Sequence, residues 1–278
     1  MPMAGELYVV ATPIGNLGDI TLRAVEVLKR VDLVLAEDTR RTRKLLSHLG
    51  ISCRVVSCYG SREGERISLV KETLEAGGSA ALVTDAGTPT LSDPGSLLIS
   101  KVWDAGYKVV PLPGPSALLA ALMASGLEPG PFVFWGFPPR KRGELAAFLR
   151  ETRMRQETSV FYESPNRLLQ TLKALLDEWG DRFSVVAREL TKLHEEFVRG
   201  RLSHQVEHFS EVSPKGEIVL IVEGGGDGPR EDAKEEEGMF ERLVEGGLTP
   251  RDAAKAMRIL FAIPKDKVYK WVQRQKEE

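Results

Sequence analysis

Three short stretches of this 278-residue chain concentrate the residue types that bind polar ligands. They are Ala11-Thr12-Pro13-Ile14-Gly15-Asn16-Leu17-Gly18-Asp19, Thr84-Asp85-Ala86-Gly87-Thr88-Pro89-Thr90-Leu91-Ser92-Asp93-Pro94-Gly95-Ser96 and Pro111-Leu112-Pro113-Gly114-Pro115-Ser116-Ala117. The second packs two Asp, several hydroxyls and two proline turns together, a rigid array of donors and acceptors that suits a held polar ligand. In the third, Pro-Gly-Pro stiffens the backbone and leaves Ser116 and the next amides at a helix N-terminus, which attracts an anion such as a carboxylate. The first is either a ligand-binding turn or a plain strand-to-helix turn. Its glycines are spaced unlike Gly-x-Gly-x-x-Gly and Pro13 interrupts them, which argues against a nicotinamide dinucleotide fingerprint.

Each stretch follows a short apolar run. Leu7–Ala11, Leu33–Ala36, Arg54–Val56, Ala80–Val83 and Lys108–Leu112 read as strands covered on both faces, with amphipathic helices between them. Leu22, Val25, Leu28 and Val31 recur at helical spacing after Thr21, a good N-cap; Leu45, Leu46 and Leu49 do so before Gly50, a good residue to end a helix. The polar stretches follow the first, fourth and fifth strands, where an open α/β sheet holds its ligands. A second unit has apolar runs at Phe132–Trp135, Ser159–Tyr162, Ser184–Ala187 and Glu217–Val222. Residues 224–237 are glycine-rich and then charged, which predicts a linker with nothing to bury. Beyond it, Phe240, Leu243 and Val244, then Ala253, Ala254, Met257 and Leu260, then Val268, Tyr269 and Val272 predict three short amphipathic helices. Their basic residues, Lys255, Arg258, Lys265, Lys267, Lys270, Arg274 and Lys276, make either a solvated face or an RNA-contacting one.

A hydrophobic fraction of 42% and a charged fraction of 28% are those of an ordinary globular protein. A net charge of -2 gives no whole-chain case for nucleic-acid binding, so any RNA contact must come from a local patch. Cys53 and Cys58 have no Cys or His neighbour at a metal-ligand spacing, so no metal is expected and a reducing compartment fits. The N-terminal residues lack the pattern of a signal peptide, and no apolar run approaches the ~20 residues of a membrane span, so a cytoplasmic protein without a membrane partner is expected.

Taken in order, Thr12–Leu17, Ala36–Arg40, Thr84–Pro89, Ser92–Gly95 and Pro113–Ala117 resemble the tetrapyrrole-methylase superfamily, in the branch that methylates a ribose 2'-hydroxyl on small-subunit ribosomal RNA. Tyr162–Arg167, Arg188–Lys192 with His194–Glu196, and Lys215–Glu217 continue the likeness to about residue 223. The resemblance implies an α/β fold of two domains, 1–126 and 127–223, with the cofactor in the cleft between them. A linker (224–237) and a small C-terminal helical module (238–278) complete the expected division. It also implies a homodimer that acts on 16S ribosomal RNA or the small ribosomal subunit with S-adenosyl-L-methionine as cofactor. By motif, Thr12, Pro13, Asp85, Ala86, Gly87, Thr88, Ser116, Ala117, Tyr162, Ala187, Arg188, Glu189, Leu190, Lys215, Gly216 and Glu217 are expected to line the cofactor site.

Such a reaction needs the 2'-oxygen aligned with an activated methyl group and a group that eases loss of the hydroxyl proton. Glu37, Asp38, Glu189 and Lys192 are the candidates. Arg40, Arg41 and Arg43 are either a phosphate grip or a solvated helix start, and Glu195 with Glu196 reads as an exposed acidic pair. Phe137, followed by Pro-Pro and the basic run Arg140, Lys141 and Arg142, reads as a mobile RNA-binding loop, with Tyr162 as a second stacking ring. Two other readings remain: a C-methyltransferase of a tetrapyrrole such as a corrin precursor, and an RNA-binding assembly protein without turnover. The Thr-Pro-Ile-Gly-Asn loop and the helical tail speak against the former, and the polar loops at one sheet edge against the latter.

Overall fold

The computed structural model describes residues 5–58, 63–127, 130–225, 231–261, 268 and 271–273. Five strands, β1 (Glu6–Val10), β2 (Leu33–Ala36), β3 (Arg54–Ser57), β4 (Ala80–Val83) and β5 (Lys108–Leu112), form a parallel sheet in the order β3-β2-β4-β1-β5. Alternate residues point to opposite faces, and both faces are covered. Tyr8, Val10, Val34, Ala36, Ala81 and Val83 pack on one side with Ala24, Val27 and Leu28 of α1 (Leu22–Arg30). On the other side Leu7, Leu33, Leu35, Ala80 and Leu82 meet Val70 and Leu74 of α3 (Glu63–Glu75) and Leu98 and Val102 of α4 (Ser96–Asp104). The expected caps form: Thr21 Oγ1 accepts from the amide of Ala24 at 3.1 Å, and Gly50 turns left-handed at φ +67 after α2 (Thr39–His48).

The second sheet runs β6-β7-β10-β8-β9 and is mixed: β6 (Phe132–Gly136) pairs parallel with β7 (Thr158–Glu163), while β8 (Phe183–Arg188), β9 (Glu196–Arg201) and β10 (Ile218–Val222) pair antiparallel with their neighbours. One face, with Phe161, Val186, Leu220 and Val222, packs on Leu145 and Leu149 of α6 (Arg142–Thr152) and on Leu168, Leu172 and Leu175 of α7 (Pro165–Trp179). Phe209 of α8 (Leu202–Glu211) closes that core. The opposite face, with Val160, Val185, Ala187, Val219 and Ile221, packs on Leu118, Ala121 and Leu122 of α5 (Ala117–Ala124) and on Ile14. A helix that follows the first sheet thus covers the second, and both sheets fall in one compact unit, Met1–Gly224.

The second unit, Gly225–Glu278, contains α9 (Glu231–Glu245) and α10 (Pro250–Phe261). Its core is Phe240, Ala253, Met257, Val268 and Trp271, with the Phe240 and Trp271 ring centroids 5.5 Å apart. Thr249 caps α10 by accepting from the Asp252 amide at 3.2 Å. The charged run read as linker is therefore helical from Glu231 onward. Lys255 and Arg258 are exposed on α10; Arg230, Lys265, Lys267, Tyr269, Lys270, Arg274 and Lys276 lie outside the described residues, and with them most of the third expected helix.

Candidate functional site

Because β4, β1 and β5 are neighbours, the loops that leave their carboxyl ends adjoin. They are stitched together. Thr12 and Gly87 exchange backbone hydrogen bonds at 2.9 Å in both directions, buried Thr12 donates from Oγ1 to the Thr84 carbonyl at 3.1 Å, and Thr88 Oγ1 donates to the Pro115 carbonyl at 3.2 Å. Ser116 caps α5, its Oγ accepting from the Leu119 amide at 3.5 Å. The loop after β1 also reaches the second sheet. The Asn16 amide donates to Thr191 Oγ1 at 3.1 Å, and Gly15 lies so close that a Cβ there would stand 2.9 Å from the Leu190 carbonyl.

Between the loops and the second sheet lies a cavity of ≈ 430 Å³. From the first sheet it is lined by Ile14, Glu37, Arg41, Thr84 to Thr88, Leu91, Ser92, Asp93 and Ala117. From the second come Phe137, Tyr162 to Pro165, Leu190 and Gly216 to Val219. The size falls in the range of small-molecule and cofactor sites, and the lining mixes apolar walls with a few carboxylates and hydroxyls. Among the described residues, the non-glycine positions with left-handed backbone are Thr90, Ser92, Glu189 and Thr191, all in the two loops that border the cavity. Strain of this kind, about 1–3 kcal/mol per residue, gathers at ligand sites because the surrounding contacts hold it there.

The electrostatics is dominated by acids. Thr84 Oγ1 donates to Glu37 at 3.1 Å, and Asp85 accepts from the Asp38 amide at 2.9 Å and pairs with Arg41 at 3.4 Å. Half-buried Asp93 has its pKa raised, first by burial and further by Glu37 and Asp85, against a hydrogen bond from Thr84. Burial likewise raises the Tyr162 phenol. Glu163 is 2% exposed and is satisfied by the Ser164 amide at 2.7 Å, by Thr171 Oγ1 at 2.5 Å and by Arg167 at 3.5 Å.

Of the four residues expected to handle the proton, Glu37 alone lines the cavity. Asp38 caps α2, accepts from Arg40 through backbone and side chain, and is pulled down to about 2 by those bonds. Glu189 and Lys192 pair with each other at 2.8 Å, and Lys192 also reaches Glu217 at 3.2 Å. The Lys192 hydrogen bond holds the Glu189 carboxyl below its ordinary value, and the two glutamates raise Lys192 despite its partial burial. This trio clasps the β8 and β10 ends together beside the cavity.

Of the residues expected at the cofactor, Asp85, Ala86, Gly87, Thr88, Ala117, Tyr162, Leu190, Gly216 and Glu217 line the cavity. Thr12, Pro13, Ser116, Ala187, Arg188, Glu189 and Lys215 stand behind or beside it; Arg188 pairs with Glu196 across β8 and β9. Among those expected at RNA, Arg41 and Phe137 line the cavity; Arg40, Arg140, Lys141 and Arg142 are exposed outside it, and Lys141 pairs with Glu144 at 2.8 Å. The Phe137 loop, expected to be mobile, is anchored: Arg167 donates to the carbonyls of Pro138 at 3.1 Å and Pro139 at 2.7 Å. Glu195 and Glu196, read as an exposed acidic pair, are exposed and half-buried respectively, and accept from the Thr191 amide and from Arg188. Asp93 and Glu163 were missed as cavity residues, although an acid that closes an apolar strand before Ser-Pro was a usable signal for Glu163.

The chain belongs to the tetrapyrrole (corrin/porphyrin) methylase family, whose model matches residues 6–205. Along 95% of its length it is 43% identical to the ribosomal RNA small subunit methyltransferase I of Bacillus subtilis, covering 93% of that protein. It is equally identical to the protein of that name from Synechocystis, over 95% of this chain and 96% of the relative. Among solved structures, uroporphyrin III C-methyltransferase from Thermus thermophilus superposes with a TM-score of 0.56 at 22% identity, over 79% of this chain and 97% of that one. A cobalt precorrin-4 methyltransferase superposes with a TM-score of 0.57 at 16% identity, over 78% of this chain and 94% of the other. These two share the fold.

Proposed function

We propose that this protein transfers a methyl group from S-adenosylmethionine to the ribose 2'-hydroxyl of a cytidine in the decoding region of 16S ribosomal RNA, acting in the cytosol as a homodimer. The observation that carries the reading is the joint cavity of the two sheets, set in a chain whose relatives are named for small-subunit ribosomal RNA. The lining fits the proposed cofactor. Ile14, Ala86, Leu190 and Val219 offer apolar walls to a nucleoside, while Glu37, Asp85 and Asp93 offer negative charge to the α-ammonium and the sulfonium. When bound, the cofactor supplies an activated methyl group.

The chain's own task is to exclude water, align the 2'-oxygen and take its proton. Glu37 and Asp93 face the cavity and share Thr84 as a hydrogen-bond partner, which makes them the pair to receive that proton. Burial favours the protonated form of Asp93, which suits a group that must take up a proton. Half-exposed Phe137 offers a stacking face at the cavity, and Arg41 with exposed Arg40, Arg140, Lys141 and Arg142 offers positive charge to phosphates. Leu119 and Met123, exposed one turn apart on α5, support a dimer surface.

The test is transfer of labelled methyl from S-adenosylmethionine to small ribosomal subunits that lack the modification, followed by nuclease digestion and mass spectrometry. Recovery of 2'-O-methylcytidine is expected. Incorporation into a tetrapyrrole precursor in place of RNA would overturn the reading.

A further inference from the structure

The motif Tyr162-Glu163-Ser164-Pro165-Asn166-Arg167 joins the end of β7 to the start of α7, yet the methyl-transfer reading gives its arginine no role. Its arginine does something the cavity lining does not account for. Arg167 sits one turn into α7, its side chain mostly buried, and one guanidinium nitrogen faces Glu163 at 3.5 Å. The other donates to two successive carbonyls, Pro138 at 3.1 Å and Pro139 at 2.7 Å. Two prolines in a row have no N–H, so at Pro138 and Pro139 the backbone can be hydrogen-bonded only through its carbonyl oxygens. A planar guanidinium can face Glu163 with one nitrogen and hold both carbonyls with the other; a single ammonium nitrogen cannot span the two sites in that way.

The turn so held follows Gly136, where β6 breaks register with β7 and the backbone is left-handed at φ +65. It carries Phe137, 58% exposed, whose ring meets Tyr162 edge-on at 5.7 Å. Tyr162 in turn meets Phe134 at 4.8 Å. The carboxylate behind the arginine is fixed as well: Glu163 is buried and takes hydrogen bonds from the Ser164 amide and from Thr171. A rigid chain of contacts therefore runs from the helix α7 through Glu163 and Arg167 to the turn beneath an exposed aromatic ring.

We propose that Arg167 is a positioning residue that fixes the Phe137 turn over the cavity so that its ring receives an unstacked base of the RNA substrate. The inference rests on the RNA-methylation reading for its substrate, while the anchor itself is a property of the free protein. Fixing the ring in advance removes the ordering that a mobile loop would require on binding.

Arg167→Lys is the first variant, because it keeps a positive charge beside buried Glu163 and loses the fork. Hydrogen exchange of the ligand-free protein at the amides of Phe137, Arg140 and Lys141 is expected to quicken at least about tenfold, as local opening of the turn becomes easier. With small ribosomal subunits as substrate, KM is expected to rise about tenfold while S-adenosylmethionine affinity, read by calorimetry, stays within about twofold. The double variant Glu163→Gln with Arg167→Met removes charge and fork together, leaves no unpaired buried ion, and is expected to show the same quickened exchange should the lysine variant fold poorly. Wild-type exchange at the turn in a folded variant would overturn the anchor. Quickened exchange with an unchanged KM would overturn its positioning role. If the wild-type protein transferred no methyl to RNA, the proposed reaction and the base-receiving role would both fall, and exchange would still decide whether Arg167 anchors the turn.

Discussion

Gly216 stands at φ +85 against the side chain of Glu189, and a Cβ placed there would lie 2.0 Å from Glu189 Oε1 and 2.2 Å from its Cδ. Glu189 cannot yield without loss, since it accepts from Lys192 at 2.8 Å and from the Glu217 amide at 3.1 Å. In Gly216→Ala the left-handed backbone costs about 1 kcal/mol. Swinging Glu189 away forfeits two charge-assisted bonds, each discounted for partial exposure to about 0.5–1 kcal/mol. The variant should thus lose about 2–3 kcal/mol, or about 4–12 °C in Tm for a unit of this size. Glu189→Ala alone should lose the bonds only, about 1–2 kcal/mol. The double variant should lose about 2–3 kcal/mol, because the clash and the bonds disappear together, giving a coupling of about 1–2 kcal/mol. Urea denaturation followed by tryptophan fluorescence measures all four corners of the cycle. Losses that add to within about 0.5 kcal/mol would refute the claim that Gly216 is glycine because of Glu189.

Three further outcomes follow from the cavity. Burial raises the Asp93 pKa, so the stability this group contributes is full below the ordinary carboxylate range and is lost as pH rises through the raised value. Asp93→Asn should therefore gain on the wild type in urea midpoint at pH 8 relative to pH 4, while methyl transfer falls by about 10²–10⁴; slower transfer without the pH-dependent gain would contradict the burial argument. Phe137→Ala should raise KM for small ribosomal subunits by about 5- to 150-fold through loss of base stacking, and an unchanged KM would remove the ring from substrate binding. A chain ending at Gly224 should lose RNA affinity more than S-adenosylmethionine affinity by filter binding and calorimetry, and equal losses would overturn an RNA-specific role for the helical unit.

The first sheet was legible because its strands are buried on both faces and so read as unbroken apolar runs, as Ala80–Val83 does. Strand β9, Glu-Phe-Val-Arg-Gly-Arg, was not, since an edge strand exposed on one side carries charges that mask its alternation. The helical reach of α9 into the charged run was hidden for the opposite reason: Ala233, Lys234 and the glutamates form helix well, but their polarity gives no apolar face to detect. The loops of the site announced themselves by Gly, Pro, Thr and Asp. The left-handed backbone at Thr90, Ser92, Glu189 and Thr191 had no such sign, because only tertiary contacts hold those residue types there. Asp38, unlike Glu37, is of a residue type favoured at N-caps, which was a usable local sign, but nothing local says that Glu37 faces the cavity.

The strand order of the second sheet bears on how the protein is made. β10 is the last of the described strands, yet it lies in the middle of its sheet, between β7 and β8, and Ile218 and Val219 at its start line the cavity. A growing polypeptide that has not yet released Val222 from the ribosome holds two separated strand pairs with a gap where their centre belongs. Its first sheet can already be whole, and every polar loop of that sheet in place, while the pocket still lacks one wall. Competence to bind a small ligand thus arrives late and all at once, and ligand binding by nascent chains of increasing length would time the closure of the second sheet.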